Sequence, residues 1–348
     1  MRFTSITLLV IVLAGCGESP NTNPNDDEIG SSESATDTST QGDPTTGTSD
    51  TTSDTTSETG DPEACWTDLA FGEQAVFYQG FASGSEGIAF GVDGLLYVTT
   101  SEAGDGTIWQ LDAQAGISEY AKLPYALGLA PRSTGELVVA SIGMLNSADG
   151  AVYEVDAQGT PSVLLATGIA SPNFVALAPD GSALVSDDVD TRVFRVSPEG
   201  ALSVVIEQVD SPNGMAYSPD GSLFYVASTF TQLGQLTRYE VDAQGMPIEA
   251  SAIEILQLGP ATTPDGIAVD VEGQVYVAAN VAGQLWRVDG SADSLQSGEL
   301  VAEDLGSPAS LAFGRGAGFD PCSIYLTQLF GSQVIRVAIG VHGAELYQ

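Results

Sequence analysis

Four oxygen-bearing side chains occupy one position of a recurring phrase: Glu86 in EGIAFGVDGLLYVTT, Asn173 in PNFVALAPDGSALVSD, Asn213 in PNGMAYSPDGSLFYVAS and Asp265 in PDGIAVDVEGQVYVAAN. Two more copies, ALGLAPRSTGELVVAS and PASLAFGRGAGFDPCSIYLTQ, place Ala126 and Ala309 there. Carboxylates and side-chain amides are hard donors. Gathered around one point they suit a cation with an oxygen shell and open water positions, Ca²⁺ first, with Mg²⁺ or Mn²⁺ as alternatives. No His or Cys stands at these positions, which argues against zinc held by nitrogen and sulfur. An unneutralised Glu86–Asp265 pair in a narrow channel would be costly, and a cation would relieve it. Any one of the four could simply cap a turn. Asn213, however, is not needed for that, because Asp220-Gly221 already supplies the positive-φ turn of its hairpin.

A ring needs elements that bring these positions together. The phrases return at steps of about 40 to 50 residues, the period of propeller blades. Each is a short apolar run, a Gly-containing turn and a longer β-rich run. A third strand follows in most, as in TIWQLDAQ or RVFRVSPE, and then a fourth, as in SVLLATGI or LSVVIEQV. With no long amphipathic helix, the reading is an all-β fold, a six-bladed β-propeller. First strands line the channel of such a ring, so the leading positions converge on its axis. QAVFYQGF, ahead of the first phrase, reads as a fourth strand. It is expected to close the last blade, leaving no open edge at the junction, although the tail VHGAELYQ competes for that place.

At these residues the chain resembles the senescence marker protein, gluconolactonase and luciferin-regenerating enzyme family, which includes regucalcin. The resemblance runs from Gln74 to about Gly340 and is most specific in PNGMAYSPDGSLFYVA and TPDGIAVDVEGQVYVA. It implies that Glu86, Asn213 and Asp265 hold one divalent cation, Ca²⁺ first and Mg²⁺, Mn²⁺ or Zn²⁺ as alternatives, with Asn173 on the metal or the substrate. The implied chemistry is hydrolysis of a small lactone or related ester, with Asp265 as catalytic base or, alternatively, nucleophile. Relatives often carry Asp where FYVAST has Ser228, and some carry Asp where Phe174 follows Asn173. Arg132 and Arg192 read as solvated surface, while Asp187 and Asp188, after LVS, either approach the channel face or, as paired carboxylates on a loop more often do, stand solvated. His342 stands alone, so no Ser-His-Asp or Cys-His arrangement can be built. The alternative function is a non-catalytic, metal-stabilised propeller that binds a glycan or protein partner.

The remaining features bound location and partners. A formal net charge of -37 repels nucleic acid and anionic lipid surfaces. The start, MRFTSITLLVIVLAGC, resembles a lipoprotein signal whose LAGC box is cut before Cys16. Residues 1–16 are then signal peptide, Cys16 carries the lipid, and Gly17 favours the outer membrane of a bacterial envelope. Residues 17–63, rich in Ser, Thr and Asp, cannot bury enough apolar surface to fold and read as a disordered acidic linker. Residues 64–348 form the propeller. Cys65 and Cys322, at the two ends of that region, are expected to form a disulfide in an exported chain. The expected partners are a small-molecule substrate and, through the lipid anchor alone, a membrane. A closed ring leaves no edge for pairing, so a monomer is expected.

Overall fold

Strands such as LVVAS and ALVSD are buried at every position rather than at alternate ones. A β-strand reads that way only when both faces of its sheet are covered. Here each sheet is covered by its neighbours in a ring. The structure, a computed structural model, describes residues 65–66, 69–102, 105–142 and 150–348. Cys16 and the 17–63 segment lie outside the described residues.

The chain opens with β1 (Gln74–Gln79) and then lays down blade one as β2 (Ser85–Phe90), β3 (Leu96–Glu102), β4 (Asp105–Leu111) and β5 (Ile117–Pro124). Blade two is β6 (Ala126–Pro131), β7 (Leu137–Ser141), β8 (Gly150–Val155) and β9 (Pro161–Ile169). Blade three is β10 (Pro172–Leu177), β11 (Ala183–Asp187), β12 (Val193–Val196) and β13 (Leu202–Ile206). Blade four is β14 (Pro212–Tyr217), β15 (Leu223–Ser228), β16 (Gln235–Val241) and β17 (Pro247–Gln257). Blade five is β18 (Pro264–Val269), β19 (Gln274–Ala279), β20 (Gln284–Asp289) and β21 (Glu299–Ala302). Blade six takes β22 (Pro308–Phe313), β23 (Ser323–Gln328) and β24 (Gln333–Ala338).

The sixth sheet has the order β1-β24-β23-β22, so the first strand of the chain completes the last blade. Cys65 and Cys322 are joined by a disulfide just ahead of this closure. The tail does not take the outer position. It packs elsewhere, with Gly343 bridging to Asp270, Arg315 donating to the Ala344 carbonyl and Tyr347 stacking edge-on against Tyr217.

The core lies between blades rather than within one. Val138, Ala140 and Val152 of blade two meet Val175, Leu177 and Val185 of blade three. Ala227, Leu236 and Ile255 of blade four meet Ile267, Val275 and Val277 of blade five. Every blade therefore depends on both neighbours, and burial of these side chains drives closure of the ring.

Much of the acidity goes into local turns. Asp112, Asp156 and Asp242 each use Oδ1 to accept two backbone N–H bonds in the loop between third and fourth strands. These Asx turns explain the repeated VDAQG phrase by geometry, with no ligand required.

Candidate metal and catalytic site

Every first strand carries the same irregularity at its channel end. In blade four Pro212 pairs with Ser228 and Met215 with Val226, so three steps along β14 oppose two along β15. The same mismatch sits at Ser85/Ile88, Ala126/Leu129, Pro172/Val175, Pro264/Ile267 and Pro308/Leu311. A bulge re-aims the residues it contains, and in every blade except the second it contains the leading residue of the phrase.

The pairing corrects one member of the ring. Ala126 pairs with Ser141 as Pro212 pairs with Ser228, so the position equivalent to Asn213 in blade two is Leu127, not Ala126. The sequence YALGLAP lacks the Pro or Ser that precedes the leading residue elsewhere, which hides the one-residue offset. The ring is therefore Glu86, Leu127, Asn173, Asn213, Asp265 and Ala309. It is narrow. A Cβ at Gly87 would lie 2.2 Å from the Leu127 carbonyl oxygen, and one at Gly214 would lie 2.3 Å from that of Asp265.

The polar side of this ring is buried and electrically strained. Asn173, Asn213 and Asp265 are buried, while Glu86 is partly exposed as a residue but has its Oε2 buried. Glu86 Oε2 and Asn213 Oδ1 have no hydrogen-bond partner. Such orphans are costly in a folded protein. Burial first, and then the Asp188 charge, pushes the Glu86 carboxyl up to about 8. Asp265 is raised well above the usual carboxylate range by burial, then by the charges of Glu86 and Asp188, while hydrogen bonds from Asn280 and Asn213 pull the other way.

Two participants escape the sequence reading. Asp188, expected to be solvated, is buried, and burial followed by the Asp187 charge lifts it to about 6 against the pull of hydrogen bonds from Ser171 and Asn173. Asn173 Nδ2 donates to Asp188 Oδ2 at 3.2 Å, and Ser171 Oγ donates to Oδ1 at 2.9 Å. Asp187 is buried too and accepts the Ala170 N–H at 2.9 Å. Asn280, unremarked in YVAAN, donates to Asp265 Oδ2 at 3.1 Å and to the Pro308 carbonyl at 3.1 Å. Asp188 and Asn280 share one register, the residue after the second strand. A polar residue at the end of an otherwise apolar LVSD or YVAA run was the available signal.

Other candidates fall away. Arg132 is largely covered, bonded to Glu154 and to the Gly181 carbonyl, rather than solvated. Arg192 pairs with Asp190 and lies over the Phe194 ring. His342 sits within 4.8 Å of the Cys65 and Cys322 sulfurs, but both sulfurs are spent in the disulfide. A groove of about 480 Å³ beside Thr191 and Tyr239 holds Asp210 and Glu254, both exposed, and none of the orphaned atoms. The axial cluster is the candidate site.

What the cluster can do follows from its donors. Three mutually repelling carboxyls with two unpartnered oxygens beside them form a hard, anionic cradle, and a divalent cation fits it. Residues 88–327, more than half of the chain, match the SMP-30/Gluconolactonase/LRE-like region. The chain belongs to that family. The match starts two residues past Glu86, so that member of the ring rests on its place in the fold.

Among curated relatives of the family, the chain is 31% identical to a gluconolactonase of Zymomonas mobilis over 30% of this chain and 31% of that protein. It is 31% identical to a pentonolactonase of Haloferax volcanii over 42% of this chain and 47% of that one. The chain thus spans less than half of the length of these curated relatives, 31% of one and 47% of the other. A regucalcin structure from Agrobacterium tumefaciens, described as calcium-binding, shares the fold at TM-score 0.61 and 19% identity, covering 78% of this chain and 95% of that one. Regucalcin-like members bind a divalent cation.

Proposed function

We propose that this protein is a divalent-cation-dependent hydrolase of a small lactone or related ester, tethered to the bacterial envelope through lipid on Cys16. The observation that carries the reading is the pair of buried, partnerless oxygens, Glu86 Oε2 and Asn213 Oδ1, electrostatically and hydrogen-bond linked to Asp265. Glu86, Asn213 and Asp265 would hold the cation, with Asn173 on the cation or the substrate. Bound there, a cation supplies polarisation of the substrate carbonyl and acidification of a water. Ca²⁺ is the first choice for such a donor set, and Mg²⁺, Mn²⁺ and Zn²⁺ are the alternatives.

Asp265 takes the role of base. Asn280 fixes its Oδ2, so the carboxylate has one orientation in which to receive the proton of the attacking water. Water adds to the carbonyl carbon, the ring C–O bond breaks, and Asp265 returns the proton to the departing alkoxide oxygen. Asp188 accepts from Asn173 Nδ2 and leaves Asn173 Oδ1 as that side chain's remaining polar atom for the site. Phe174 and Ser228, at places where relatives carry Asp, put the burden of proton transfer on Asp265.

The test is turnover of a panel of lactones by the purified full chain in detergent, with each of the four cations, against Asp265→Ala. Metal-dependent ring opening abolished in the variant supports the reading. The second reading, a non-catalytic metal-stabilised propeller that binds a glycan or protein partner, draws on the buried and unpartnered Ser228 Oγ where a relay group would stand. It is favoured if Ca²⁺ raises the melting temperature while no lactone is opened. The envelope location, outer membrane by the Gly17 rule, rests on the sequence and is tested by radiolabelled palmitate incorporation lost in Cys16→Ala. The monomer is tested by light scattering.

A further inference from the structure

The loops between second and third strands open on the same face as the ring, because the leading end of each first strand pairs with the trailing end of the second. Two residues beyond the second strand, blades three to six carry Val189, Phe230, Val281 and Phe330, with 55%, 45%, 64% and 57% of their surface exposed. Leu233, also exposed, joins them from the blade four loop. A single exposed apolar residue is ordinary, but one register filled with exposed apolar side chains in four consecutive blades sets this face apart.

Three of these residues are latched to the ring by one recurring bond. Phe230 N–H donates to Ser211 Oγ at 3.0 Å, Val281 N–H to Thr263 Oγ1 at 2.9 Å and Phe330 N–H to Ser307 Oγ at 2.8 Å. Each hydroxyl stands two residues ahead of a ring position, those of Asn213, Asp265 and Ala309. Ser211 and Thr263 have left-handed backbones, φ 51° and 47°, a conformation that side-chain-bearing residues rarely adopt and that concentrates at functional sites. These three apolar side chains are thus held at a set offset from the ring positions. No free cation stands among them in the described residues, since Arg192 is engaged by Asp190.

We infer that the substrate is a neutral lactone or ester with an apolar arm, aliphatic or aromatic, and that this arm rests on the collar of Val189, Phe230, Leu233, Val281 and Phe330. The inference rests on the hydrolase reading for its reacting group. An anionic substrate would find no free positive charge among the described residues of the collar, and would be repelled by a chain of net charge -37.

The experiment compares kcat/KM for δ-valerolactone and δ-dodecalactone, which share a reacting ring and differ in the arm, using the full chain in detergent below its micelle-perturbing concentration. A preference of about tenfold or more for the long arm is expected, and it should collapse in the Phe230→Ser/Phe330→Ser double variant. Each single Ser variant serves if the double one fails to fold. A ratio near one in the parent, or a ratio that the substitutions do not move, overturns the collar while leaving the hydrolase standing. If no lactone is opened with any cation, the hydrolase reading falls. Calorimetric binding of the matching alkyl δ-lactam then decides the collar, which stands if affinity drops in the double variant and is overturned if parent and variant bind alike. Loss of association with neutral phosphatidylcholine vesicles in the variant, with no change in lactone preference, reassigns the patch to the membrane.

Discussion

Replacing Glu86 by Gln should reverse the order of stability according to whether a cation is present. The Glu86 carboxyl is pushed from 4.5 to about 8 by burial and then by Asp188. A carboxyl raised in the folded state binds its proton more tightly there than in the unfolded chain. Its unfavourable contribution is therefore absent below about pH 4.5, grows as pH rises and is complete above about pH 8. Undiscounted, that displacement corresponds to about 5 kcal/mol, and partial exposure of the residue reduces this to about 2–3 kcal/mol. Gln keeps the shape and removes the charge. In chelator at pH 9 the Glu86→Gln variant should melt about 5 °C higher than the parent, while at pH 5 the two should nearly coincide. With Ca²⁺ at a hundred times its dissociation constant the parent gains about 2.7 kcal/mol, and the variant should gain little. Differential scanning calorimetry at the two pH values, with and without Ca²⁺, reads all four conditions. A variant less stable than the parent in chelator at pH 9, or one with an undiminished Ca²⁺ response, refutes the strained-cradle argument.

Three further outcomes are expected. Because Glu86 and Asp265 both hold protons above the usual carboxylate range, Ca²⁺ binding should release protons and weaken by about tenfold per unit as pH falls from 8 to 7, which calorimetry in two buffers of different ionisation enthalpy detects. Gly214→Ala places a Cβ 2.3 Å from the Asp265 carbonyl oxygen, so melting should report a loss of about 1–3 kcal/mol, with metal affinity falling alongside it. Reducing the Cys65–Cys322 disulfide opens a loop of 257-residue separation and should destabilise by up to about 5 kcal/mol on the chain-entropy account, measured as a denaturation midpoint with and without reductant.

The repeat was legible because each blade writes the same apolar–turn–apolar phrase, and burial on both faces keeps the second strands of that phrase almost wholly apolar. The closing strand was legible because QAVFYQGF stands before Glu86 as VVIEQV stands before Asn213, and it does pair with β24. The slip from Ala126 to Leu127 was not, since register is a property of two paired strands and a single strand cannot display it. Asp188 was misread for a related reason. Paired acids after LVS look solvated in one dimension, and only the bulged first strand beside them, with Asn173 and Ser171 reaching across, shows that they are enclosed. The polar end of the YVAAN run marks Asn280 but not its role, because its partners Asp265 and Pro308 belong to two neighbouring blades.

The way the ring is fastened also has a mechanical side. β1 is the outer strand of its sheet, paired on one edge only, with β24, and a rim strand is the first to peel when tugged from its free end. The covalent link at Cys65 lies upstream of that strand and runs to Cys322, the residue before β23, an inner strand of the same sheet. Tension arriving from the residues before Cys65 would pass through sulfur into the body of blade six and bypass the rim, so the wheel stays shut under load for as long as the bond is oxidised.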